Sequence, residues 1–158
     1  MAVDVFFNIE GVKGESKDEK HPDEIQILSY SWGITQTGTM AYGGGGGGGK
    51  GNVSDFSFMK RVDSATSRLV NSAQTGEHFK KALLTVRKAG GKQEEYMKMT
   101  FWDLLVTSIQ FSASSEEPME SVSINFAKYK TEYAPQKEDG SLLPYIESEY
   151  DLKQMKGA

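Results

Sequence analysis

A glycine run ending in lysine, two histidines, several paired carboxylates and many serines are the side chains here that could do chemistry, each of a different kind. Gly44, Gly49 and Lys50 have the spacing of GxxxxGK, a loop whose backbone N–H groups cradle phosphate while the next Ser or Thr holds magnesium. Here Gly51 follows, and a strand pattern rather than a helix begins at Val53, so both the metal ligand and the helix N-terminus are missing. His21 falls in a charged loop and His78 just past a helix, neither with a second histidine or a carboxylate at metal-ligand spacing on one element. Both read as solvated surface residues, and no metal site is expected. A Ser-His-acid triad would have to recruit one of these two, and no Gly-x-Ser-x-Gly elbow is present. The pairs Asp23-Glu24, Glu94-Glu95 and Glu116-Glu117 are in principle a glycosidase's raw material, yet nothing in the sequence buries one to raise its pKa. The expectation is no catalytic residue, no cofactor and no enzyme; glycan hydrolysis abolished by changing Glu94 or Glu116 would revive the enzyme reading.

Composition narrows the class further. A chain of 158 residues fits one domain, taken here as 1–158, and can bury a continuous core. The absence of cysteine excludes disulfides and thiolate chemistry. Net charge is −4, so the overall field does not favour a polyanion, and no nucleic-acid role is expected. Lys80-Lys81 and Arg87-Lys88 read as solvated strand-edge charges. The start, Met1 to Phe7, has no basic and apolar signal-peptide pattern, which predicts synthesis in the cytoplasm without Sec-type export. No apolar run reaches the ~20 residues of a membrane helix, so a soluble protein with no membrane insertion is expected.

The elements that must position these residues are mostly strands. Val3, Val5, Phe7 and Ile9 alternate with Asp4, Phe6 and Asn8, the period-2 pattern of a strand. Residues 11–23 form a polar loop. Leu28, Tyr30, Trp32 and Ile34 then share one face and small residues the other, and Phe56 and Phe58 mark the next strand. Asp63 or Ser64 caps a helix with the stripe Ala65, Leu69, Val70 and Ala73, which Gly76 ends. Ala82, Leu84 and Val86 turn at Gly90-Gly91 into Met97, Met99 and Phe101, continuing to Leu105, Ile109 and Phe111. In the following strand Val122, Ile124 and Phe126 give way to Tyr129 and Tyr133, a parity switch that demands a bulge or corner near Ala127. Ile146 to Leu152 supplies a last strand. The expected fold is mainly β: an antiparallel β-barrel of two packed sheets with one α-helix and a long glycine-rich extended loop.

That loop, residues 36–52, is too long for a hairpin turn and holds seven consecutive glycines, 43–49. Connections of this length are usually functional or disordered. Glycine loses the most backbone entropy on ordering, so a free monomer has little reason to order the run, whereas a surface that approaches bare backbone supplies one. The loop reads as an interface arm.

The opening Met1-Ala2-Val3-Asp4-Val5-Phe6, the segments 12–18 and Tyr30-Ser31-Trp32-Gly33, the glycine-rich loop, Thr85 to Gly91, Asn125-Phe126-Ala127 and Tyr133 to Lys137 occur in this order over most of the chain. Together they resemble the Hcp family, the hemolysin-coregulated tube proteins of bacterial type VI secretion. The resemblance implies a β-barrel with one helix that assembles into a hexameric ring. Such rings stack into an inner tube, driven out of the cell by a contractile sheath, with a spike protein of the valine-glycine repeat family at its tip and effector proteins in its lumen. It implies a cytoplasmic protein during assembly that is then secreted through this system, and it makes the loop an arm packing on neighbouring subunits or the next ring. The candidate subunit and ring contacts are Gln36, Gly38, Tyr42, Gly43, Gly46, Gly49 and Lys50, with Trp32 assigned to the core. Alignment on the Thr85 to Gly91 motif implies that Ser112, Ser114 and Ser115 face the channel as cargo contacts. Some members of that family carry a fused C-terminal effector domain; with the last expected strand ending close to Ala158, none is expected here. The alternative is a monomeric small-ligand-binding β-barrel, against which stand Phe7, Trp32, Phe56, Phe58, Met97, Phe101 and Phe126, bulky enough to fill the interior.

Overall fold

The structure, a computed structural model, describes residues 2–41, 43–114 and 116–157. Its elements are β1 (Val3–Ile9), β2 (Ile25–Gln26), β3 (Ser29–Ser31), β4 (Ile34–Thr35), β5 (Asn52–Val53), β6 (Phe56–Arg61), α1 (Thr66–Thr75), β7 (His78–Lys88), β8 (Glu95–Ala113), β9 (Pro118–Tyr133), β10 (Ile146–Asp151) and β11 (Lys156–Gly157). All the strand pairings are antiparallel, which makes the protein mainly β with one helix. Nine strands form one sheet, in the order β11-β10-β9-β8-β7-β1-β2 with β6 joining β9 and β3 joining β6; β4 and β5 form a separate two-stranded ribbon. The segment 25–31 serves two neighbours. Ile27 N–H donates to Val5 O (3.1 Å) and Leu28 N–H to Met59 O (2.8 Å), so its first half lies on β1 and its second on β6.

The core follows from the alternation. Phe7 and Ile9 of β1 stand opposite Leu84 and Ala82 of β7, and Phe101 of β8 stands opposite Ala82 and Tyr129. Phe7, Phe56, Phe58 and Phe101 are all but inaccessible and meet ring to ring at 4.9–6.5 Å. Met97 and Trp32 pack on this cluster half-buried.

β8 and β9 change faces together, as the parity of Phe126 and Tyr129 requires. Asp103, with φ 51°, stands where β8 turns over: Phe101 and Leu104 are both buried on it, as Phe126 and Tyr129 are on β9. The register does not slip there, since Trp102 faces Lys128 and Leu104 faces Phe126; the inserted residue is Thr107, between Val106 and Ser108. Ala127 is thus at a corner, and the bulge lies on the partner strand.

Two expected surface charges are buried. β7 is an interior strand, between β1 and β8, and Arg87 is 2% exposed. Its cross-strand neighbour Asp4 of β1 accepts from the guanidinium and Phe6 of β1 lies 4.9 Å from it, while the loop after β1 folds back over the group and adds Asp18. His21 of that loop, 7% exposed, stacks on Phe6 (4.5 Å, 10°) with Glu24 2.9 Å from Nδ1 and Glu95 2.7 Å from Nε2. Periodicity could not reveal this, because the cover comes from a loop with no period of its own.

The helix forms where expected and Gly76 ends it, but its N-cap is Ala65, with no side-chain cap hydrogen bond, rather than Asp63 or Ser64, and one residue of the stripe is exchanged. Asp63 precedes it and accepts from Ala65 N–H (2.9 Å), and Gly76 ends it in the left-handed region at φ 72°, its N–H on Ser72 O. Ala65, Leu69 and Ser72 are buried, whereas Val70 is exposed. Beneath its first turn Lys60, fully buried, donates to Asp63 (2.6 Å) and contacts Glu120, which also accepts from Thr66 Oγ1 at 3.1 Å.

Candidate assembly interface

The 36–52 segment is itself a long hairpin, not an unstructured loop. Ile34 pairs with Val53 and Thr35 with Asn52, and further out Gly38 bridges Gly48. Thr39 closes the pairing: its N–H and Oγ1 both donate to Gly47 O (3.0 and 2.8 Å), and its Oγ1 accepts from Gly47 N–H at 3.1 Å. The pairing sum drops by one residue between Thr35/Asn52 and Gly38/Gly48, so the ribbon carries a bulge. Order in the glycine run thus comes from cross-strand bonds within the arm as well as from any external surface.

The arm is fastened at its base. Ser54 N–H and Oγ donate to Gly33 O, and Gly33 N–H returns a bond to Ser54 Oγ, all at 3.0 Å. Trp32 donates from Nε1 to Ser54 O (3.0 Å), while its ring meets Tyr129 at 4.9 Å and Phe101 and Phe126 at 6.1 Å each. Trp32 therefore packs on the core and also ties the arm to it. Next to it Asp55 accepts from Thr107 (2.8 Å) and Asn125 (2.9 Å), joining the root to β8 and β9.

The candidate contact residues spread along this arm. Gln36 lies against Gly48, where an added Cβ would come within 3.2 Å of its side chain, and against Gly49, at 3.6 Å. Gly46 lies so close to Met40 that a Cβ would stand 2.7 Å from its Cα, and Gly44 and Gly45 have φ of +87° and +129°. Those three positions require glycine. At Gly38 and Gly43 a Cβ would meet nothing within 4 Å. Lys50 is exposed, and Tyr42 lies outside the described residues. Among the described residues, every hydrogen bond made by positions 36–51 stays within the ribbon, and its tip presents Met40 at 78% exposure.

The serine candidates sit elsewhere. Ser112 belongs to the end of β8, opposite Met119, and is exposed, as is Ser114 in the connection; Ser115 lies outside the described residues. β6 relates the two regions, for Phe56 beside the arm's root pairs with Ile124 while Arg61 pairs with Met119 near the serines. Five residues of strand set these ends about 17 Å apart. At the serine end Arg61 holds Glu117 at 2.6 Å.

Of the two histidines, His78 is exposed, and His21 is committed to Phe6 and two carboxylates. Among the described residues no group of three or more metal-ligating side chains comes together, and no helix is long and apolar enough to cross a membrane.

The protein family described as "Type VI secretion system effector, Hcp" matches residues 6–133. Protein hcp1 of Pseudomonas aeruginosa is 48% identical over 144 residues, covering 89% of each chain. Two solved structures share the fold across nearly the whole length. One is described as a type six secretion system protein (TM-score 0.93, 27% identity, covering 99% of this chain and 100% of that one). The other is Hcp1 from Salmonella typhimurium (TM-score 0.81, 33% identity, the same coverage). The match over most of the sequence, and the sheet, helix and glycine-rich arm it spans, place this chain in the Hcp family of type VI secretion proteins.

Proposed function

We propose that the protein is the tube-forming subunit of a type VI secretion system: a single-domain chain, 1–158, that forms hexameric rings stacking into the exported inner tube. The observation that carries this is the arm, a ribbon tied to the core at Trp32 and Ser54 whose outer part, among the described residues, has hydrogen-bond partners only within itself. Exposed backbone of this kind is stabilised by close approach of a second surface. A closed ring needs two different patches that meet around the circle, and an arm reaching from one subunit to another provides one of them. Gln36, Gly38, Tyr42, Gly43, Gly46, Gly49 and Lys50 form the contact, with the spike protein, the sheath and effectors as further partners. Ser112, Ser114 and Ser115 face the lumen and its cargo; the first two lie near the far end of β6. The protein assembles in the cytoplasm and is exported as part of the tube; its work is structural rather than catalytic. The aromatic filling of the interior counts against a ligand-binding barrel.

The test is to delete four glycines from 43–49 and measure solution mass by light scattering after size exclusion, with negative-stain images of the same peak. The expected result is a folded chain with an unchanged circular dichroism spectrum that no longer forms rings or tubes. Normal assembly of the shortened chain would sink the proposal.

A further inference from the structure

We infer that Met40 is a peroxide-sensitive modification site, and that its oxidation to the sulfoxide disables docking of the arm; the inference rests on the docking reading above. Of the large apolar side chains described, Met40 is the most exposed, at 78%. It is held rather than loose. Its Cα and Sδ lie over the backbone of Gly46, where an added Cβ would stand 2.7 and 3.0 Å from them. The thioether is therefore presented at the tip of a ribbon closed by Thr39 and Gly47. A polarisable, unbranched side chain adapts to an irregular apolar contact, which makes methionine common at such surfaces.

The chain has no cysteine, so the reactive sulfur is all methionine. Met59, Met97, Met99 and Met119 are half-buried in the sheet, and Met155, at 55%, is exposed in the turn before β11, far along the chain from the arm. Susceptibility follows exposure. In the reaction a sulfur lone pair attacks one oxygen of a hydroperoxide. The S–O bond forms as the O–O bond breaks, the departing oxygen takes up the remaining proton, and water or an alcohol leaves. Sulfur loses two electrons and the peroxide gains them. An apolar side chain becomes a polar, chiral one, and burying the new S=O in a dry contact without a donor costs free energy. Sulfoxide reductases reverse the change, so Met40 makes assembly responsive to oxidant.

The experiment treats the full chain, dissociated into single subunits, with hydrogen peroxide, follows each methionine by peptide mass spectrometry, and then follows assembly by light scattering and negative stain. Met40 is expected to oxidise at least about fivefold faster than Met97 and Met99. Assembly should fall in step with its sulfoxide, Met40→Leu should hold assembly through the same treatment, and methionine sulfoxide reductase should restore it in the unmutated chain. Complete conversion of Met40 with assembly unchanged overturns the inference, as does equal peroxide sensitivity of Met40→Leu. If Met40→Leu itself assembles poorly, recovery with reductase decides alone: recovery supports the site and none overturns it. The chain with the shortened glycine run separates the two ideas. If it assembles normally, the docking reading falls; if it fails to assemble while peroxide has no effect on the unmutated protein, only the role of Met40 falls.

Discussion

Arg87 shows how a residue's neighbours alter its chemistry. The guanidinium beside Asp18 lowers that carboxyl from 3.8 to about 2, the ion pair and its hydrogen bonds outweighing the opposing effect of burial. Asp4 takes a second share of the same guanidinium, and both partners raise the pKa of Arg87. A carboxylate depressed in the folded state contributes stability above its unfolded pKa and loses it as pH falls through the folded value. The tie from loop to strand should thus be complete above pH 4 and fade towards pH 2. Asp18→Asn should lower the urea midpoint at pH 7 and abolish this portion of the pH dependence, so that the difference from the unmutated protein shrinks between pH 4 and pH 2. A constant difference across that range would show that Asp18 acts by packing alone. His21 and Arg87, read from the sequence as solvated, belong to this same covered patch; adjacent charges in a sequence carry no sign of a loop that will return over them.

At the scale of elements, α1 is docked by charge as well as by its apolar stripe. Lys60 of β6, Glu120 of β9 and Asp63 before the helix meet where Thr66 starts its first turn. Removing one partner of a buried ion pair leaves the other uncompensated and costs about 3–5 kcal/mol, whereas replacing both with apolar residues of similar size is often close to neutral. Lys60→Ala should therefore lower thermal stability sharply, and Lys60→Met with Glu120→Leu should recover most of it; equal losses in calorimetry would refute the account. The helix and its stop at Gly76 were legible because a left-handed glycine stop is local, whereas the start was misplaced: the N-cap is Ala65, not Asp63 or Ser64. Val70 was misread and Ser72 missed, because which flank of a helical stripe turns inward depends on the sheet beneath it. The arm was legible as an excursion between strands, but its form was not: seven glycines have no side-chain alternation from which to read a register, and the hairpin is set by Thr39, Gly47 and the Gly33–Ser54 clasp.

For the whole molecule, the useful fact is the separation of two surfaces. The arm runs into one end of β6 and the serine-bearing connection from β8 to β9 lies beside the other, so the proposed contact between subunits and the proposed contact with cargo would vary independently. Ser114→Trp should reduce effector retention in pulldown while ring formation by light scattering stays normal; unchanged retention would remove the connection from the lumen wall, and lost rings would move it to the subunit interface.

By itself the sequence determined the mainly β class, the hairpin at Gly90-Gly91, the helix with its left-handed stop, the parity switch after Phe126 and the family, because each is written in local periodicity, turn chemistry or ordered motifs. The tertiary structure alone decided that Arg87, His21 and Lys60 are buried, that β8 and β9 turn over together at Asp103, and that Trp32 links core to arm. The physical reason is that a strand's alternation specifies two faces but not what will cover either one. Cover comes from segments distant in the chain, and only their arrival in space turns a polar position into a buried ion pair or a loop into an arm.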